Sequence, residues 1–214
     1  MITIDIWSDV RCPFCYIGKR NFEDALAQFE YRKKTEVIWH SFQLDPKIRT
    51  RPGISALDYF VEEKNISREQ AQEMFQNAQK MAVDAGLEMD LETSVVANSY
   101  RAHLLIQLAK SKGVANEIEE ALFKAHFSEA KNIDEESVLL EVAASAGIES
   151  DEAAEALTSE SLAYEVKQDE MQAQNIGVRG VPFFVFDNKY GVSGAQPAET
   201  FLEVLNKTWQ ESGK

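Results

Sequence analysis

Apolar and polar residues alternate along Ile2-Thr3-Ile4-Asp5-Ile6-Trp7, the period of a half-buried strand. Over residues 16–29 the apolar positions recur at helical spacing, and residues 36–44 alternate again as a second strand that ends at Asp45-Pro46. No strand pattern follows from Ser55 to about Thr158. The punctuation there is helical: Ser67 with Gln70 reads as a capping box, Gly86 and Gly113 follow helical stretches, and Asp134 opens a helix that Gly147 closes. Tyr100, Leu104, Leu105 and Leu108 make one apolar helix face, and Leu122, Phe123, Ala125 and Phe127 belong to the next helix. Residues 161–175 read as a helix broken by Gly177 and Gly180. A dense aromatic strand over 181–186 then meets the turn Asp187-Asn188 and a short partner over 190–193. Pro197 starts a last helix that runs to Trp209.

In order, a β-α-β half, a helical insertion and a β-β-α half make an α/β chain with a thioredoxin-like fold interrupted by an all-α insertion subdomain. The expected boundaries are 1–50 and 160–214 for the thioredoxin-like domain and 51–159 for the insertion. A chain of 214 residues with 44% hydrophobic content buries a sizeable core. Its formal net charge of −14 argues against nucleic acid and anionic membrane surfaces and for protein or small-molecule partners. Met1 leads straight into the first strand with no basic segment and no continuous apolar run, so a cytoplasmic location is expected.

The two cysteines lie in one tetrapeptide, Cys12-Pro13-Phe14-Cys15, between the first strand and the first helix. A zinc site would have to recruit two of the scattered His40, His103 and His126, and a purely structural disulfide here closes too short a loop to constrain the unfolded chain. Dithiol chemistry is the better reading. With Cys12 as the N-cap and Pro13 at the first helical position, the N–H groups of Phe14 and Cys15 are expected to face the Cys12 sulfur. The helix dipole then favours its thiolate. Cys12 is the expected nucleophile, and Cys15, one turn inside, the resolving thiol. Arg11 either adds positive potential or is a solvated surface charge. Asp9 either closes the strand as a turn residue or relays a proton for the buried thiol.

The segment from Asp9 to Arg20, with Cys12-Pro13-Phe14-Cys15-Tyr16-Ile17-Gly18-Lys19 at its centre, resembles the active-site segment of DsbA-family thiol-disulfide oxidoreductases of the FrnE-like branch. Asn98-Ser99 with Ala102-His103, then Leu122 through Phe127, and then Gly177 through Phe184 with Ser193-Gly194-Ala195-Gln196 resemble that branch in the same order. The resemblance implies a protein-disulfide oxidoreductase that needs no bound cofactor beyond a redox-active Cys12–Cys15 disulfide, with glutathione as a candidate co-substrate. It also implies a cis Val181–Pro182 bond beside the dithiol, with the Val181 backbone free to pair with an extended substrate.

Phe14 departs from the family pattern: the branch commonly has Trp there and the exported oxidants have His. Phe14 neither donates a hydrogen bond nor carries charge, so no strongly oxidising potential is expected. Pro13, Phe14, Val181, Asn98 and His103 are the expected substrate-binding residues. Asn98 either caps its helix or lines a cleft, and His103 is either a packed core histidine or part of the site. No metal ligands are expected. Two other readings share parts of this pattern. Kappa-class glutathione transferases and 2-hydroxychromene-2-carboxylate isomerases have the same architecture but a serine where Cys12 stands, and a non-catalytic adaptor would use the acidic helical surface to bind proteins.

Overall fold

The leading alternation forms strand β1 (Ile2–Ser8), followed by helix α1 (Pro13–Gln28) and strand β2 (Thr35–Ser41), in a computed structural model that describes residues 1–213. Strand β2 lies parallel to β1, from Ile2 opposite Thr35 to Ser8 opposite Ser41. It stops three residues short of the Leu44 that the pattern predicts. There the Phe42 N–H donates to the Ser8 carbonyl at 3.1 Å and the Leu44 N–H to the Asp9 carboxylate at 2.8 Å, which ties the chain to the end of β1.

After helix α8 (Glu160–Asn175), strand β3 (Phe183–Phe186) runs antiparallel to β1, and β4 (Tyr190–Ser193) antiparallel to β3, giving the order β2-β1-β3-β4. Asp187 and Asn188 turn the β3–β4 hairpin with φ of 47° and 55°, values that short polar side chains tolerate. Strand alternation sorts the core into two layers. Ile4 and Ile6 of β1 sit opposite Phe186 and Phe184 of β3, on the side covered by α1 and by helix α9 (Ala198–Glu211). Phe22, Phe184 and Phe201 meet there, with ring centroids 4.6 to 5.8 Å apart. On the other side Trp7 packs with Ala173 of α8 and Val178, flanked by Phe42, Val181, Phe183 and Val185. The aromatic run thus splits by parity, with Phe184 and Phe186 fully buried and Phe183 half-buried in the opposite layer.

The chain divides into two compact units, Met1–Leu44 with Val166–Lys214, and Asp45–Glu165. The second is built from α2 (Ala56–Lys64), α3 (Arg68–Asp84), α4 (Tyr100–Lys112), α5 (Ala115–Phe127), α6 (Glu136–Ser145) and α7 (Ser150–Ala156). The Ser67/Gln70 capping box starts α3, and Gly86, Gly113 and Gly147 take φ of 70° to 79° after their helices. Helix α4 departs from the single face the pattern predicts. Every residue from Ala102 to Ala109 is buried while Tyr100 is exposed, because α5, α6 and α7 all pack against α4.

Charge divides with the units. Residues 45–165 hold 24 Asp and Glu against 11 Lys and Arg, and the thioredoxin-like unit holds 12 against 11. Among the described residues, no helix is long and apolar enough to cross a membrane.

Candidate active site

Pro13 supplies the first residue of α1, where its missing N–H leaves no intrahelical bond unmade, and Cys12 is the N-cap with extended backbone. The turn is set by the end of β1: the Cys12 N–H donates to the Asp9 carbonyl at 2.9 Å, and the Cys15 N–H to the Cys12 carbonyl at 3.0 Å. The Cys12 side chain makes no capping bond, which corrects the expectation that the first helical N–H groups face its sulfur. Sγ–H instead donates to the Val181 carbonyl at 3.5 Å. A protonated thiol is a donor, and a carbonyl oxygen suits it better than an N–H group.

Both cysteines are free thiols and both are buried. Burial pushes the Cys15 thiol well above the ordinary thiol range. Its hydrogen bond with Cys12 and the charge there push the same way, the Asp9 charge adds to them, and a backbone hydrogen bond at Asp9 opposes them. Asp9 is fully buried, and its carboxylate accepts from the Arg11 N–H at 3.2 Å and the Leu44 N–H at 2.8 Å. It therefore organises the turn, and its charge lies within electrostatic reach of Cys15.

The Val181–Pro182 peptide is cis, Pro182 is buried and Val181 half-buried. Gly18, one turn beyond Cys15, lets α1 approach this loop. A Cβ on Gly18 would stand 2.9 Å from Pro182 Cγ and 3.5 Å from both Ala195 Cα and Phe184 Cζ. Asn21 Nδ2 donates to the Gln196 carbonyl at 2.9 Å and holds the same helix to the loop before α9. Phe14, between the cysteines, is 40% exposed, and Pro13 is half-buried. Cys12, Cys15, Val181, Pro182, Pro13 and Phe14 all belong to the thioredoxin-like unit.

Asn98 and His103 lie in the helical unit. His103 is fully buried in α4. Asn98 is committed to its own loop: Nδ2 donates to the Ile48 carbonyl at 2.8 Å, Oδ1 accepts from the Tyr100 N–H at 2.7 Å, and its N–H donates to Thr50 Oγ1 at 3.0 Å. Asn98→Ala leaves the Ile48 carbonyl and the Tyr100 N–H without these partners. It should destabilise the protein by about 1–3 kcal/mol, read as a lower denaturation midpoint in urea.

Sequence reasoning left His40 unassigned and did not find its partners. His40 Nε2 lies 2.8 Å from Asp5 Oδ1 and Nδ1 lies 2.7 Å from Asp169 Oδ1, with all three residues at least nine-tenths buried. Asp169 Oδ2 accepts from the Ser41 N–H at 2.9 Å, and the imidazole stacks on Trp7 with centroids 4.4 Å apart. The sequence offered no signal for it: alternation reads β1 as half-buried with Asp5 on its polar face, whereas the strand is buried on both faces.

The family described as the DSBA-like thioredoxin domain matches residues 3–206. The solved structure of a probable DsbA oxidoreductase from Streptomyces coelicolor is 36% identical, with a TM-score of 0.92 over 99% of this chain and 91% of the other. The cytosolic disulfide reductase DsbM from Pseudomonas aeruginosa, solved also with GSH, shares the fold at 17% identity and a TM-score of 0.69, over 97% and 98% of the two chains. A 2-hydroxychromene-2-carboxylate isomerase shares it at 14% identity and a TM-score of 0.72, over 99% and 98%.

Proposed function

The chain belongs to the family of DSBA-like thioredoxin domains, and from that premise we propose that it exchanges thiols and disulfides through the Cys12–Cys15 pair, on protein or small-molecule substrates. The observation that carries the reading is the unequal setting of the two sulfurs. Cys12 stands at the N-cap position of α1 with its thiol bonded to the Val181 carbonyl, whereas Cys15 lies one turn inside with its thiol held protonated.

In the reducing direction the Cys12 thiolate attacks one sulfur of a substrate disulfide. A mixed disulfide forms at Cys12, the substrate S–S bond breaks, and the departing thiolate takes up a proton. Cys15 then gives up its proton, with Asp9 as the acceptor, and attacks the Cys12 sulfur. The second substrate thiol leaves, and the two electrons gained by the substrate remain balanced by a Cys12–Cys15 disulfide. Oxidation of a substrate dithiol is the reverse. The backbone of Val181 pairs with an extended substrate and Phe14 offers it an apolar contact. Phe14 and the likeness to a cytosolic reductase favour the reducing direction in the cytoplasm, with glutathione restoring the dithiol.

Limited alkylation at neutral pH tests the assignment. Cys12 should be labelled first, and Cys15 only at a pH well above the ordinary thiol range, because its burial and the Cys12 charge keep it protonated. Equal labelling of both sulfurs, read by peptide mass spectrometry, would sink the division of roles.

A further inference from the structure

We propose that Asp5, His40 and Asp169 form a positioning network that sets the Val181 backbone through Trp7, so that three residues away from the dithiol tune how it receives a polypeptide. The inference rests on the thiol reading above, in which Val181 meets both Cys12 and the substrate.

The trio's chemistry is constrained by counting protons. Both ring nitrogens of His40 are within 2.8 Å of a carboxylate oxygen, and each contact needs one hydrogen between the two atoms. Two protons therefore sit among the three groups wherever they rest, and the trio carries one net negative charge. Three apolar side chains would hold α8 to the sheet as well or better, since burying charged groups costs more desolvation than their attraction commonly returns. What the polar trio adds is direction. Asp169 is bonded at Oδ1 to His40 and at Oδ2 to the Ser41 N–H, so α8 is fixed against both sliding and rotation over β2.

Trp7 connects this clamp to the site. Its indole stacks on His40 at an interplanar angle of 13°, and Nε1 donates to the Asp169 carbonyl at 3.0 Å. The indole is thus gripped by two members of the trio. Trp7 sits opposite Phe183 in the β1–β3 register, and Val181 packs against the cluster of Trp7, Ala173 and Val178. The Val181 carbonyl in turn accepts from the Cys12 thiol. A shift of α8 or of the indole therefore reaches the residue that aligns the substrate before it reaches either sulfur.

The test compares two substrates in three proteins: the parent, the triple variant Asp5→Leu/His40→Leu/Asp169→Leu, and Trp7→Phe. One substrate is an extended peptide in mixed disulfide with glutathione, and the other is hydroxyethyl disulfide, too small to need Val181. The triple variant removes the whole charge set, so no lone carboxylate is left buried. Both variants should raise KM for the peptide by about tenfold while exchange with hydroxyethyl disulfide stays within about twofold. The triple variant should also lose the near-ultraviolet circular dichroism that disappears in Trp7→Phe. Folded variants with parent kinetics on both substrates would overturn the proposal, as would equal losses on both. Should the triple variant not fold, the KM split in Trp7→Phe, where the trio is whole and the relay is gone, decides alone. A parent protein inactive on both substrates refutes the thiol reading instead, and the Trp7 dichroism then decides whether the trio positions the indole.

Discussion

Cys12→Ser should lower disulfide exchange by about three orders of magnitude or more, while Cys15→Ser should attack once and remain attached to its substrate. The asymmetry follows from the chemistry of two unequal sulfurs. Without the Cys12 sulfur no mixed disulfide forms, whereas without Cys15 the mixed disulfide forms and nothing within the protein resolves it. Acid quench and intact mass spectrometry of Cys15→Ser would show the adduct and identify its substrate half. Activity that survives Cys12→Ser would point elsewhere. A serine stands at this place in the glutathione-dependent transferases and isomerases that share the architecture, so surviving glutathione conjugation would favour that chemistry. Undiminished binding without turnover would favour an adaptor.

Gly18→Ala should destabilise the protein, opposite to the usual sign. In an ordinary helix interior the exchange gains about 1 kcal/mol, because glycine loses more backbone freedom on folding. Here the new Cβ would stand 2.9 Å from Pro182 Cγ, with the Ala195 main chain and the Phe184 ring closing the other sides. Overpacking of this kind costs about 1–3 kcal/mol and should outweigh the propensity gain. Either Pro182 moves or α1 does, and both hold the surroundings of the Cys12 sulfur. A lower denaturation midpoint with slower exchange is the expected pair of results. A midpoint raised as in an ordinary helix would show that the loop yields freely and that the close approach has no role.

The local parts of this molecule were legible in the sequence because their causes are local. Alternation in β1, the proline after Cys12, the Ser67 capping box and the glycines ending helices each act within a few residues. The bond from Cys12 to Val181 spans 169 residues: the resemblance to a known family put the Val181–Pro182 bond beside the dithiol but left the Val181 backbone free for a substrate, and no spacing rule announces that its carbonyl accepts from the Cys12 thiol. The trio had no such guide. Asp5, His40 and Asp169 are separated by 35 and 129 residues, and only the parallel β1–β2 register and the packing of α8 bring them together. Asn98 shows the converse. Its place before a helix suggested either a cap or a cleft residue; the bond from the Tyr100 N–H two residues on is the local, cap-like one, while the bond to Ile48, 50 residues away, depends on a loop path with no sequence signature.

Within about one Debye length of its surface, a distance that grows as salt is removed, the protein is a multivalent anion whose net charge has almost no source in the half that holds the thiols. Long-range attraction and short-range reactivity are thereby assigned to different stretches of chain. Exchange of surface carboxylates in the helical unit can retune which charged molecules arrive, and how steeply their arrival depends on ionic strength, without altering the sulfur that meets them.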